Sequence, residues 1–151
     1  MPDQGYDTDL SLWAESQARA LRDAGHAGTN LPIDWENVAE EIEALGKSQA
    51  RELASRLRII LVHLIKLQAS PAPEPRGVWS ETIVVQRSEI ERVIEDSPSQ
   101  RQAVDRLIAR EIEPARRQVA AALTDHGETP TIDTEHVAYS AAEVLGDWFP
   151  D

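Results

Sequence analysis

Leu57-Arg58-Ile59-Ile60-Leu61-Val62-His63-Leu64-Ile65-Lys66-Leu67 decides the fold. Eight of these eleven residues are aliphatic, and neither Gly nor Pro interrupts them. At about 100° per residue, Leu53, Leu57, Ile60, Leu61, Leu64 and Leu67 form one stripe, while Ile59 and Val62 fall on the other side. A helix that is apolar almost all round must be covered on several sides. The pattern therefore predicts a helix over 48–69 in the middle of an all-α fold, with only Arg58, His63 and Lys66 breaking its apolar run.

Toward the N-terminus, a first helix is expected to start after Asp7 or Asp9, to carry Leu10, Trp13, Ala20 and Leu21 on a short apolar face, and to end at Gly25. Asp34 then reads as the cap of a second helix, with Asn37 three residues on. In that helix Trp35, Val38, Ile42 and Leu45 share the face expected to point inward. Glu36, Glu40 and Glu43 lie opposite, and Glu41 sits on the shoulder of the apolar stripe. The apolar phase slips between Leu45 and Leu53, so a break or kink is expected at Gly46–Lys47.

Toward the C-terminus, Ser70–Gly77 holds three prolines and cannot continue a helix. A helix over 78–95 follows, with Trp79, Ile83, Ile90, Val93 and Ile94 on its apolar face; Gln86 and Arg87 fall on that same face. Ser97 and Pro98 have the chemistry of N-cap and N1 for a last long helix over 98–124, in which Pro114 predicts a kink. That helix turns Val104, Leu107, Ile108, Ile112, Ala115, Val119, Ala122 and Leu123 inward, with Glu111 at the edge. Ser140 with Glu143 forms a capping box for a short helix ending near Gly146, and Trp148-Phe149 offer an apolar anchor beyond it. The sum is a bundle of about four principal helices with short helices at both ends, read as one domain over residues 1–151.

Composition narrows the function classes. The chain has no cysteine, which removes disulfides, thiolate metal sites and thiol nucleophiles. Met1–Asp9 is acidic without the apolar core of a signal peptide, and no run reaches the ~20 residues of a membrane span, so a cytoplasmic location is expected. The net charge is −12, placed unevenly: residues 1–46 carry −8, residues 47–117 carry +3 and residues 118–151 carry −7. Such ends repel phosphates, which argues against nucleic-acid binding through the backbone.

Several strings carry a resemblance. Tyr6-Asp7-Thr8-Asp9 with Trp13, then Ala39-Glu40-Glu41-Ile42-Glu43-Ala44-Leu45-Gly46-Lys47-Ser48, then Ser55-Arg56-Leu57 and His63-Leu64-Ile65-Lys66, resemble the DUF29 family. Trp79, Thr82-Ile83, Gln86-Arg87, Ile90, the Asp96-Ser97-Pro98-Ser99 turn and Tyr139-Ser140 with Val144-Leu145 continue it along nearly the whole chain. The resemblance implies a compact, bundle-like all-α fold found in bacterial proteins, and it implies no activity. The chain departs from the family pattern at Leu67-Gln68, where an aromatic is often found, and at Pro114.

One group of residues could carry chemistry. Arg87 is a guanidinium on an apolar face and must be paired or reach solvent; Glu41 is the expected partner, otherwise Glu111. Gln86, His63 and Arg56 could complete a polar cluster. Two readings fit: a satisfied network that fixes helix register, or a ligand pocket in which Arg87 holds an anion and His63 is the acid or base. No catalytic triad setting, phosphate loop or Glu-x-x-His pair is present, so no catalytic residue, metal site or cofactor is assigned. Asp23-x-x-His26 and Asp133-x-x-His136 are ordinary near helix ends. The leading expectation is a non-enzymatic acidic module that binds a protein partner or itself and neutralises, for example, a basic partner. The alternative is a small-molecule-binding or hydrolytic protein built on Arg87, Glu41 and His63.

Overall fold

In the computed structural model, which describes residues 5–151, the chain is all-helical, and no strand occurs among the described residues. Residues 1–4, on which the signal-peptide reading partly rests, lie outside them. The elements are α1 (Leu10–His26), α2 (Trp35–Ala69), α3 (Arg76–Asp96), a 3₁₀ segment (Pro98–Ala103), α4 (Val104–Asp125) and α5 (Ala141–Leu145). They group into two compact units, Met1–Leu53 with Arg92–Gln102, and Ala54–Glu91 with Ala103–Asp151. No described helix is long and apolar enough to cross a membrane.

The second unit follows the aliphatic pattern. Leu57, Ile60, Leu61, Leu64 and Ile65 of α2 are fully buried, as are Ile83 of α3, Val119 of α4 and Val144 of α5. Each such side chain contributes about 1.5–3 kcal/mol relative to leaving it in water. α4 continues as helix through Pro114. The capping box of α5 is formed: Ser140 Oγ accepts from the Glu143 amide, and the Glu143 carboxylate accepts from the Ser140 amide.

The first unit obeys a different rule. α1 buries Ser11, Ala14 and Ala18, not the large residues its sequence put forward; Ala20 is exposed, and Leu10, Trp13 and Leu21 are half-buried. In α2, Ala39 is fully buried, while Val38 and Leu45, expected inside, are exposed at 39% and 37%. Gly46 explains the exchange. A Cβ there would stand 3.4 Å from both the Ala14 Cβ and the Ser11 carbonyl oxygen, so α1 comes close enough that only small side chains fit the seam. Large neighbours are displaced to the rim. Of the break or kink expected at Gly46–Lys47, the break is absent: α2 is one helix of 35 residues. The phase slip that pointed to a break records instead that its two halves serve different units.

The helix ends also differ from expectation. Gly25 lies inside α1, where its missing side chain makes room for Trp35: a Cβ would meet the Trp35 Cβ at 2.7 Å. The left-handed residue past the helix is Gly28, with φ of 79°. Asp34 caps α2 as expected, accepting from the Asn37 amide at 3.3 Å and the Asn37 side chain at 2.6 Å. Ser97 stands at the start of its following segment, its carbonyl accepting from the Gln100 amide at 2.9 Å, but its side chain is used elsewhere. Its Oγ accepts from the Ser11 amide at 3.1 Å and donates to Gln49 Oε1 at 3.4 Å. Asp9 reciprocates: its carboxylate caps α1 at the Leu12 amide and also accepts from the amide and the hydroxyl of Ser99. Asp9 and Ser97 are buried, and these bonds satisfy the polar atoms that burial removes from water.

Candidate functional site

Arg87 is buried, at 8% exposure, but it forms no ion pair with a carboxylate among the described residues. Its Nε donates to the Val144 carbonyl at 2.9 Å, and its Nη2 donates to the carbonyls of Glu143 and Trp148 at 2.8 and 2.7 Å. The Phe149 ring lies 4.8 Å from the guanidinium carbon. These carbonyls belong to the C-terminal end of α5 and the turn after it, where helical oxygens lack partners and a positive charge is favoured. Burial pushes the guanidinium's proton affinity below its ordinary value, and the Asp147 carboxylate opposes that shift. Arg87 thus fastens the terminal segment down. The expected pairing with Glu41 or Glu111 is corrected: main-chain oxygens do the work of an acid.

Glu111 is buried too and belongs to a separate pair. Its Oε2 accepts from Arg58 Nη2 at 2.6 Å and Nε at 2.7 Å, and its Oε1 accepts from Arg110 Nε at 3.2 Å. Arg56 and Gln86 do come together, Nη1 donating to Oε1 at 3.0 Å, with Glu89 at 3.8 Å from Arg56. His63 turns to its own helix, where Nδ1 lies 2.7 Å from the Ile59 carbonyl. Burial lowers its pKa below the ordinary value. Glu41 is exposed and forms no hydrogen bond or ion pair among the described residues. Of the six residues of the expected cluster, Arg56 and Gln86 bond one another, while Arg87, Glu111 and His63 are held by separate partners.

Other polar groups show the same economy. Glu36 and Glu43, expected to be solvated, bond Arg22 at 3.1 and 2.7 Å, and Lys47 lies 3.5 Å from Glu43. Those bonds raise the Arg22 pKa and lower that of Glu43. Asp133 Oδ2 and His136 Nδ1 are 2.6 Å apart on the surface, a contact that lowers the acid's pKa and raises the imidazole's. With Glu135 they put three exposed ligand atoms within 4.8 Å of one another. Gln68, one departure from the family pattern, has its own use: its side-chain oxygen accepts from the Tyr139 hydroxyl, and its carbonyl accepts from Thr131 Oγ1 at 2.6 Å. Nothing in the residue type of Gln68 announced that role.

One cleft in the second unit was not anticipated. It has a volume of about 280 Å³ and is lined by Lys66, Ala72, Pro75, Trp79, Leu123 and Glu128, among others. The Lys66 ammonium lies 5.8 Å from the centre of the Trp79 ring. The spacing of Lys66 and Trp79 in separate helices gave no sign of this meeting.

The comparisons with known proteins agree with this architecture. The crystal structure of an alpha-helical protein of unknown function from Rhodospirillum rubrum is similar at a TM-score of 0.81, with 28% identity, covering 98% of this chain and 93% of that one. No curated protein matches the sequence. The family described as "Domain of unknown function DUF29" matches residues 6–149. Nearly the whole chain, including the Asp9–Ser99 and Arg87 contacts, falls within that match, and the protein belongs to the DUF29 family.

Proposed function

We propose that the protein is a non-enzymatic, acidic helical module that binds a basic protein partner along the first half of α2. The observation that supports this most is the ridge that packing left outside. Val38 and Leu45 lie one above the other on α2 and are exposed, and Leu31 and Ile33, in the segment leading into the helix, are exposed at 60% and 42%. Glu41 is exposed beside this ridge and forms no ion pair among the described residues. Apolar surface bordered by an uncommitted carboxylate, in a segment of net negative charge, complements an amphipathic element that carries Lys and Arg beside its apolar stripe. A second copy of this chain is the poorer partner, because an isologous contact would bring the −8 of residues 1–46 against itself.

The test uses a synthetic helical peptide with leucines at helical spacing flanked by lysines, a polylysine control, and fluorescence anisotropy at low and high salt. Preferential binding of the amphipathic peptide, weakened by salt and lost when Val38 and Leu45 are both changed to Ser, supports the reading. Equal binding of polylysine, or binding indifferent to the two substitutions, overturns it. Sedimentation that shows a dimer dissolved by those substitutions replaces the basic partner with a second copy.

A further inference from the structure

We infer that the cleft between the end of α2, the start of α3 and the end of α4 is a binding site for a small zwitterion with an apolar body, of the amino-acid class. The argument starts from two opposite charges that line one cleft without joining. Lys66 forms no ion pair among the described residues; its contact is with the Trp79 ring. Glu128 is fixed from two directions. Its amide closes the turn after α4 by donating to the Leu123 carbonyl at 2.8 Å, alongside the bond from Gly127 to the Thr124 carbonyl at 3.0 Å, with Gly127 at φ of 66°. Its Oε1 accepts from Ser70 Oγ at 2.9 Å, which leaves the other carboxylate oxygen uncommitted. A free ammonium and a half-used carboxylate thus face a space whose remaining walls are largely apolar: Ala72, Pro75, Leu123 and the indole of Trp79.

That combination selects by charge pattern as well as by shape. A simple carboxylate would satisfy Lys66 but meet Glu128 with like charge. A simple amine would do the reverse. A molecule bearing both groups satisfies both and lays its side chain on the apolar wall. The volume of about 280 Å³ is near the lower end for ligand pockets and suits a molecule of amino-acid size. His126 also lines the cleft; its Nδ1 is 2.8 Å from the Ala122 carbonyl, and it forms no ion pair with Glu128 among the described residues.

The experiment is a titration followed by nitrogen–proton correlation NMR, using L-leucine, L-phenylalanine, and their deaminated and decarboxylated counterparts as probes. The expected result is saturable shifts at the Trp79 indole N–H and the Glu128 amide with at least one amino acid, and binding at least about tenfold weaker once either charge is removed from the probe. Lys66→Met keeps the apolar stem and should abolish the advantage of the amino acid over the amine. Glu128→Gln keeps the acceptor for Ser70 and should abolish its advantage over the carboxylate. Spectra of both variants that overlay the parent away from the cleft establish that they fold. Absence of saturable shifts at Trp79 with both amino acids, or a carboxylate that binds the parent as well as its amino acid does, overturns the inference. The readout lies in the second unit alone and does not depend on the peptide-binding ridge of the first.

Discussion

The Ser97 hydroxyl accepts a hydrogen bond from the Ser11 amide, 3.1 Å away and 86 positions earlier in the chain. A helix N-terminus ordinarily caps itself. Here α1 is capped by its own Asp9 and by the turn that follows α3, and Ser97 is fully buried. Ser97→Ala removes the acceptor and leaves the amide dry. It should cost about 1–3 kcal/mol in urea unfolding, and Ser97→Thr should recover part of that if the methyl is tolerated. A loss within the error of the measurement for Ser97→Ala would show that the bond is dispensable.

Arg87→Met strands three carbonyl oxygens, so it should destabilise the protein by about 2–4 kcal/mol. Hydrogen exchange should speed up first in α5 and the residues after it. Because Glu41 is not the partner, Glu41→Leu should leave stability within about 0.5 kcal/mol of the parent and should not rescue Arg87→Met. A rescue in the double mutant would contradict the observed bonding.

Leu61 and Leu64 are both fully buried. Changing either to Ala should cost about 2–5 kcal/mol in thermal or urea melts. Val38→Ser or Leu45→Ser, by contrast, should cost under about 1 kcal/mol, since each already meets water. Melts showing equal losses at all four sites would contradict the burial assignment.

His63 and His136 should titrate in a fixed order. Burial lowers the His63 pKa, and the Asp133 contact raises that of His136. A lowered histidine pKa means the unfolded chain takes up the proton first, so the His63 contribution is complete above its unfolded value of about 6.5 and is lost as the pH falls toward the folded value. His136 acts with the opposite sign, its contribution being present below that value and lost as the pH rises through its folded pKa. NMR titration should place His63 below and His136 above the ordinary value. Replacing His63 by Gln should flatten the acid side of a plot of stability against pH. An unchanged slope would remove His63 from the account.

Which parts were legible in the sequence follows from side-chain size. The second unit is built on branched aliphatic residues, whose helical spacing states which face is buried; Leu57, Ile60, Leu61 and Leu64 could be read directly. The first unit also buries Leu53, Val93 and Ile94, but α1 and the first half of α2 bury Ser11, Ala14, Ala18 and Ala39 beside Gly46, small residues that a hydrophobic pattern passes over. The same blindness put Val38 and Leu45 inside. The burial of Arg87 was legible because a cation interrupts an apolar stripe. Its partners were not, because main-chain oxygens are present at every position and leave no mark in the residue letters. Glu111 reads as an edge acid, yet its partner Arg58 shows in the sequence only as an interruption of an apolar run.

The grouping of Arg92–Gln102 with Met1–Leu53 has a consequence in time. During synthesis at about 5–20 residues per second, the Ser11 amide emerges several seconds before the hydroxyl that will receive its bond. Through that interval α1 has its seam available but not its second cap, and the whole of 54–91 is made in between. Neither unit is a continuous stretch, so no single proteolytic cut releases either of them intact. A nick in the 70–75 connection should leave two fragments that stay associated, each holding part of the second unit.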